Sequence, residues 1–171
     1  VQDYVEEVRK SFGQYTVEEI AFPKTANNVS NYDRKVVEKR FNTTTDSEEK
    51  ARLSDMLDTD SLIYTKKTPI AVKGALIFNH LLEKYSLGLR YQPIRDGDKV
   101  KFVYLKPRNP IGESVIAFPE TLPPEFQLHE YVDYEKMFDK VFYQNMVILC
   151  EPLGWSPKKV ESLDSIFDFG D

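Results

Sequence analysis

One cysteine, Cys150, is all that this 171-residue chain contains. That excludes a disulfide framework and a thiolate-bound metal cluster, and it fits a reducing compartment. Histidine is nearly as scarce, with only His80 and His129. Two histidines without thiolates do not make a zinc site, and neither stands in a pattern with a Ser or Cys nucleophile. No apolar run approaches the roughly 20 residues needed to span a bilayer. The opening V-Q-D-Y-V-E-E-V-R-K lacks the apolar core of a secretory signal, so the N-x-S/T sequons at Asn28 and Asn42 carry no weight. An initiator Met is also missing, and an amphipathic helix starting at residue 1 is what a piece of a longer protein would show. Internal repeats and low-complexity tracts are absent.

What the chain does have is an ordinary globular composition, 41% hydrophobic and 30% charged, enough for one domain with a sizeable core. Its charge is unevenly spread. Residues 61–110 hold ten Lys and Arg against three Asp and Glu, whereas 111–171 hold four against twelve, within a net charge of -5. A basic middle and an acidic tail point to an anionic partner for one part and a different partner for the other.

The basic middle centres on Tyr64–Asn79, Y-T-K-K-T-P-I-A-V-K-G-A-L-I-F-N. Thr68 and Pro69 read as helix cap and first helical residue. Ile70, Leu76, Ile77, Phe78, Leu81, Leu82 and Tyr85 then form one broad apolar face, with the helix ending near Leu87 and Gly88. Lys66, Lys67 and Lys73 crowd its N-terminus, where the dipole and free amides also favour an anion such as phosphate. On composition alone, three lysines in one loop are more often a plain solvated surface.

Along the rest of the chain, Val1, Tyr4, Val5, Val8 and Phe12 predict a helix over residues 1–14, and Thr16 with Glu19 resembles a capping box. K-T-A-N-N-V-S-N-Y, Lys24 to Tyr32, reads as a polar loop whose hydroxyls and amides suit phosphate or sugar contacts, or simply turns and caps. Residues 33–60 read as a charged insertion with one short surface helix from Asp46. Asp96-Gly97-Asp98 is a turn leading into a strand, Lys99–Leu105, which pairs antiparallel with Ser114–Phe118. Asp133 caps a helix from Tyr134 to about Cys150, with Met137, Phe138, Val141, Phe142, Val147, Ile148 and Leu149 mostly in the core. The ending, S-L-D-S-I-F-D-F, puts Leu163, Ile166, Phe167 and Phe169 on a terminal segment that either folds back or docks in a partner's groove. The fold class expected is α+β, mainly helical with one small antiparallel hairpin or sheet.

Four of these stretches, in this order, resemble the thumb domain of family B replicative DNA polymerases from T-even-type phages. They are T-A-N-N at Thr25–Asn28, K-T-P-I-A-V-K-G followed by A-L-I-F-N, N-P-I-G at Asn109–Gly112 with I-A-F-P after it, and the S-L-D-S-I-F-D-F ending. The resemblance implies a thumb over residues 1–157 and a clamp-binding peptide over 158–171. It implies that Thr25, Asn27, Asn28, Lys66, Lys67, Lys73 and Lys140 hold the backbone of primer-template duplex DNA. Leu163, Ile166, Phe167 and Phe169 would anchor the peptide in the sliding clamp. The other partner implied is the remainder of the polymerase, with no membrane, in the cytoplasm of an infected bacterial host. The chain departs from the family at Gln144 and Ala71, where a basic residue and a histidine are usual, and residues 33–60 look longer.

Asp58-Thr59-Asp60-Ser61 matches the D-T-D-S motif with which the same family holds catalytic magnesium, but that motif belongs to the palm, ahead of the thumb in chain order. It also lacks here the further carboxylates of a two-metal site. The expectation is therefore no catalytic residue, no metal ligand and no cofactor in this chain, with magnesium confined to a palm outside it. Two other readings stay open: a separately encoded small subunit of a split polymerase, and an interaction module acting only through its acidic aromatic tail.

Overall fold

The computed structural model describes residues 1–58 and 68–157. Seven helices and three strands are formed among them. They are α1 (Gln2–Phe12), α2 (Val17–Ile20), β1 (Phe22–Ala26), α3 (Arg34–Thr43), α4 (Ser47–Leu57), α5 (Ile70–Lys84), β2 (Asp98–Tyr104), β3 (Val115–Phe118), α6 (Tyr134–Phe138) and α7 (Gln144–Cys150). The class is α+β, mainly helical with a small antiparallel sheet, as the periodicities predict. The described residues fall into two compact units, one formed by the ends of the chain (1–16 and 134 onward) and one by Val17–Asp133.

In the larger unit the strands lie in the order β1-β2-β3, antiparallel throughout. The β2–β3 pairing is the expected one, but β1 turns part of the supposed polar loop into a third strand. Phe22 pairs with Phe102 and Ala26 with Asp98. Pro23, which has no N–H to give, is tolerated because β1 is an edge strand. Helix α5 covers the face that carries Ala117 and Phe102. Gly74 is what permits the approach, since a Cβ there would lie 2.7 Å from the Ala117 backbone nitrogen. Leu76, Ile77, Phe78, Leu81 and Leu82 are buried, with Ala71, Val72 and Ala75 beside them, so most of the apolar face read from the sequence is the core of this unit; Ile70, in the first turn, is only half-buried, and Tyr85, past the last turn, is exposed.

The ends of α5 differ in detail from expectation. Pro69 is the N-cap, with extended backbone (φ -56°, ψ 141°), so Thr68 lies outside the helix rather than capping it. Proline's carbonyl accepts the first helical bond, from the Lys73 amide at 2.9 Å. Its missing N–H is no loss there. At the other end the Leu87 amide bonds the Leu82 carbonyl at 2.8 Å and the Ser86 amide the Glu83 carbonyl at 3.1 Å. With Ser86 at φ 56° this is a Schellman motif, so the chain leaves the helix at Ser86 and not at Gly88.

Residues 33–58 hold more structure than one surface helix. Asp33 caps α3 by accepting from the Lys35 and Val36 amides, and Asp46 caps α4 through the Glu48 amide. The two helices close on a small core of their own, Val37, Leu53 and Met56, with Tyr32, Phe41 and Leu57 packed against it. Glu49 fastens the hairpin by accepting from the Thr44 hydroxyl at 2.8 Å and from Arg40 at 2.6 Å. Those two hydrogen bonds, the hydroxyl's first, hold its carboxyl below the ordinary range.

In the smaller unit α1 lies against α6 through aromatic contacts. Phe12 meets Phe138 edge-on at 5.5 Å, and the Arg9 guanidinium sits over the Phe138 ring at 4.8 Å while bonding Glu135 at 3.1 Å. The single long helix expected from Tyr134 to Cys150 is interrupted by a π-helical turn, Asp139–Tyr143, between α6 and α7. Met137, Phe138 and Cys150 are buried, but Val147, Ile148 and Leu149 are exposed and are not core. The extra residue of the π turn rotates everything after it around the helix axis. A stripe drawn at 3.6-residue spacing from Met137 therefore misses the buried side beyond Tyr143.

Candidate nucleic-acid interface

Thr25, Asn27 and Asn28 are brought together at one corner of the larger unit, all exposed. Thr25 is on β1 directly opposite Lys99 on β2. Side chains alternate along a strand, and Ala26 and Val100, which follow these two residues in the chain, are buried on the α5 side. Thr25 and Lys99 thus share the sheet's other face, where that face is open to solvent. Lys101, two residues along, is occupied by the Glu18 carbonyl at 3.1 Å.

Past the end of β1 the chain turns sharply. Asn28 has φ 64° and ψ 32°, a left-handed backbone that asparagine tolerates better than most residues. The turn is held by Asp96, which accepts hydrogen bonds from the Ser30 hydroxyl and from the Ser30 amide at 3.0 Å. Those bonds, the hydroxyl's first, keep the Asp96 carboxyl below its ordinary value. The Gly97 amide bonds the Ala26 carbonyl at 2.9 Å, which stitches the two turns together. Sequence reasoning had no signal for this junction, because its two sides lie some seventy positions apart.

Lys73 is elsewhere. It pairs with Glu113 at 3.6 Å, and both side chains are mostly buried. Glu113 belongs to the β2–β3 connection, whose fold is set by Asn109. That buried side chain donates to the Lys106 and Glu113 carbonyls at 2.8 and 2.6 Å and accepts from the Ile111 and Glu113 amides. This connection lies at the end of β2 away from Thr25, about 20 Å along the strand at the usual rise per residue. The N-P-I-G stretch is therefore a structural turn that fixes a carboxylate beside Lys73.

Lys140 stands on the smaller unit, exposed on the π-helical turn. Gln144, at a position where the resembling family is often basic, donates to Asp139 at 3.0 Å. Lys66, Lys67, Leu163, Ile166, Phe167 and Phe169 lie outside the described residues. Of the D-T-D-S stretch, Asp58 is described and is the C-cap residue of α4. Among the described residues no group of three or more His, Cys, Asp or Glu is placed to hold a metal ion. No helix among them is long and apolar enough to cross a membrane.

Chemically, this corner offers a hydroxyl, two carboxamides and exposed cations on a backbone that its own hydrogen bonds already hold. Such a set binds anions without reading their shape in detail, which is how phosphodiester backbones are positioned. No protein-family model matches the chain. It is similar along its length to a protein described as the DNA-directed DNA polymerase of Enterobacteria phage T4, with 28% identity over 171 residues, covering 98% of this chain. The chain spans only 16% of that polymerase's length. The similarity relates this chain to phage DNA polymerases.

Proposed function

We propose that the chain is the thumb portion of a phage DNA-directed DNA polymerase, gripping primer-template duplex by its backbone phosphates and tethering the enzyme to its sliding clamp. The observation that carries the reading is the T-A-N-N corner: exposed hydroxyl and amide donors on a turn held by Asp96, in a chain similar to a phage polymerase. Thr25, Asn27 and Asn28 set the register of the duplex, while Lys66, Lys67 and Lys140 neutralise phosphates. Lys73 contributes less, because a phosphate must displace Glu113 to reach it. Leu163, Ile166, Phe167 and Phe169 bury themselves in the clamp. The portion holds no catalytic group of its own; magnesium and phosphoryl transfer belong to a palm, and the setting is the cytoplasm of an infected bacterium.

The test is a fluorescence-anisotropy titration of primer-template DNA between 50 and 200 mM salt, with the wild-type chain and Lys66→Glu/Lys67→Glu. The expected Kd lies in the non-specific range, roughly 10⁻⁴ to 10⁻⁶ M, with log K falling against log salt at a slope of about -3 to -4 for three or four neutralised phosphates. The double change should abolish binding. No binding at low salt, or binding indifferent to the change, would overturn the reading.

A further inference from the structure

Arg95 and Lys99 flank the T-A-N-N corner, and neither has a role in the reading above. We infer that these two cations complete a phosphate seat with Thr25, Asn27 and Asn28, so that the grip at this corner is electrostatic as well as positional. The inference rests on the thumb reading and extends it to the residues that supply the charge.

Lys99 is fixed by register. It is the β2 partner of Thr25, and directly opposed residues of an antiparallel pair hold their Cβ atoms roughly 5 Å apart. A phosphate that accepts from the Thr25 hydroxyl is therefore within reach of the Lys99 ammonium, which sits on the same open face. Arg95 is fixed from both sides. The residue before it, Ile94, is clamped to α5 by Asn79, whose Oδ1 accepts from the Ile94 amide at 2.7 Å and whose Nδ2 donates to the Ile94 carbonyl at 2.9 Å. The Arg95 amide itself donates to Asp98 at 2.7 Å, and the Asp98 amide returns to the Arg95 carbonyl at 3.2 Å. Only the Arg95 side chain is left to project, and it is exposed.

Two carboxylates stand in the same turn and have to be counted. Asp96 is turned onto Ser30, and Asp98 onto the Arg95 amide. Each keeps its charge but is held by neutral donors of the protein and forms an ion pair with neither Arg95 nor Lys99. Among the described residues neither Arg95 nor Lys99 forms an ion pair. In an otherwise acidic chain the two are therefore available to a phosphate, in contrast to Lys73 with its Glu113.

The experiment compares the wild-type chain with Arg95→Ala/Lys99→Ala and with a control pair, Lys106→Gln/Arg108→Gln, in the same primer-template titration. Lys106 and Arg108 are exposed in the β2–β3 connection, at the far end of β2 from this corner, and removing their charges changes the net charge equally. The seat variant should flatten the slope of log K against log salt by about 0.9, for the one phosphate that is no longer neutralised, while the control pair leaves the slope as it is. Arg95→Lys should restore most of the affinity that Arg95→Ala removes. Equal flattening by both pairs would mean diffuse attraction and overturn the seat. An unchanged slope in the seat variant, with Lys66→Glu/Lys67→Glu still abolishing binding, would overturn the seat and leave the thumb reading intact. A wild-type chain that binds no duplex at low salt would overturn both.

Discussion

Asp96 holds the turn that follows Thr25–Asn28, and its chemistry makes the corner sensitive to acid. Its carboxyl is held below the ordinary value by the Ser30 hydroxyl and then by the Ser30 amide. A carboxyl whose folded pKa is depressed adds stability that is fully present above its unfolded value, about 3.9, and is lost as pH falls through the lower folded value. The thermal midpoint of the wild type should therefore exceed that of Asp96→Asn by a constant amount from pH 7 to about pH 5. The gap should close below about pH 4. A gap that stays constant down to pH 2.5 would show that the charge on Asp96 does not matter to the turn. Lys73 makes the complementary point, because a carboxylate beside a lysine decides whether that lysine is free for a ligand, and Glu113 lies forty positions away in sequence.

Among the elements, α5 carries the larger unit, and its closest approach to the sheet is at Gly74. A methyl group there would stand 2.7 Å from the Ala117 nitrogen and 2.8 Å from the Ala117 Cβ, and the first of these is backbone that cannot swing aside. Gly74→Ala is expected to destabilise the protein by about 1–3 kcal/mol in urea unfolding, in spite of the roughly 1 kcal/mol that alanine gains in a helix interior. A stabilised variant would mean that α5 and β3 are spaced more loosely than described. Strand β1 escapes sequence reading because F-P-K-T-A has no alternation to read. As an edge strand it is defined by its pairing with β2 some seventy residues on. Helix α3 is hidden among its five charges of mixed sign, although Val37 and Phe41 stand four apart and both reach the hairpin's core.

At the scale of the whole molecule, two binding modes with different physics are expected of one chain. The net charge of -5 opposes DNA, so duplex affinity rests on local cations and must fall steeply with salt. In the proposed reading, binding of a sliding clamp rests on burying Leu163, Ile166, Phe167 and Phe169, and apolar burial is little screened by salt. If that reading holds, calorimetric titration of a phage sliding clamp into the chain should give a Kd that changes by less than about threefold between 50 and 200 mM salt. The same rise should weaken duplex binding by roughly a hundredfold. A clamp affinity as steep as the duplex affinity would point to the acidic residues of the tail, rather than its aromatics, as the contact.

The local patterns of the sequence determined the α+β class, the buried face of α5, the β2–β3 pair and the Asp33 to Leu57 charge pattern. Each is a property of neighbours within a turn or two of chain, where periodicity and capping act. Tertiary structure decided what lies between distant segments. It paired Thr25 with Lys99, set Asp96 under Ser30, gave Glu113 to Lys73 and wound the π turn that leaves Val147, Ile148 and Leu149 at the surface. The reason is that a charge or hydroxyl acquires its role from whatever stands a few ångströms away, and that neighbour is chosen by the fold.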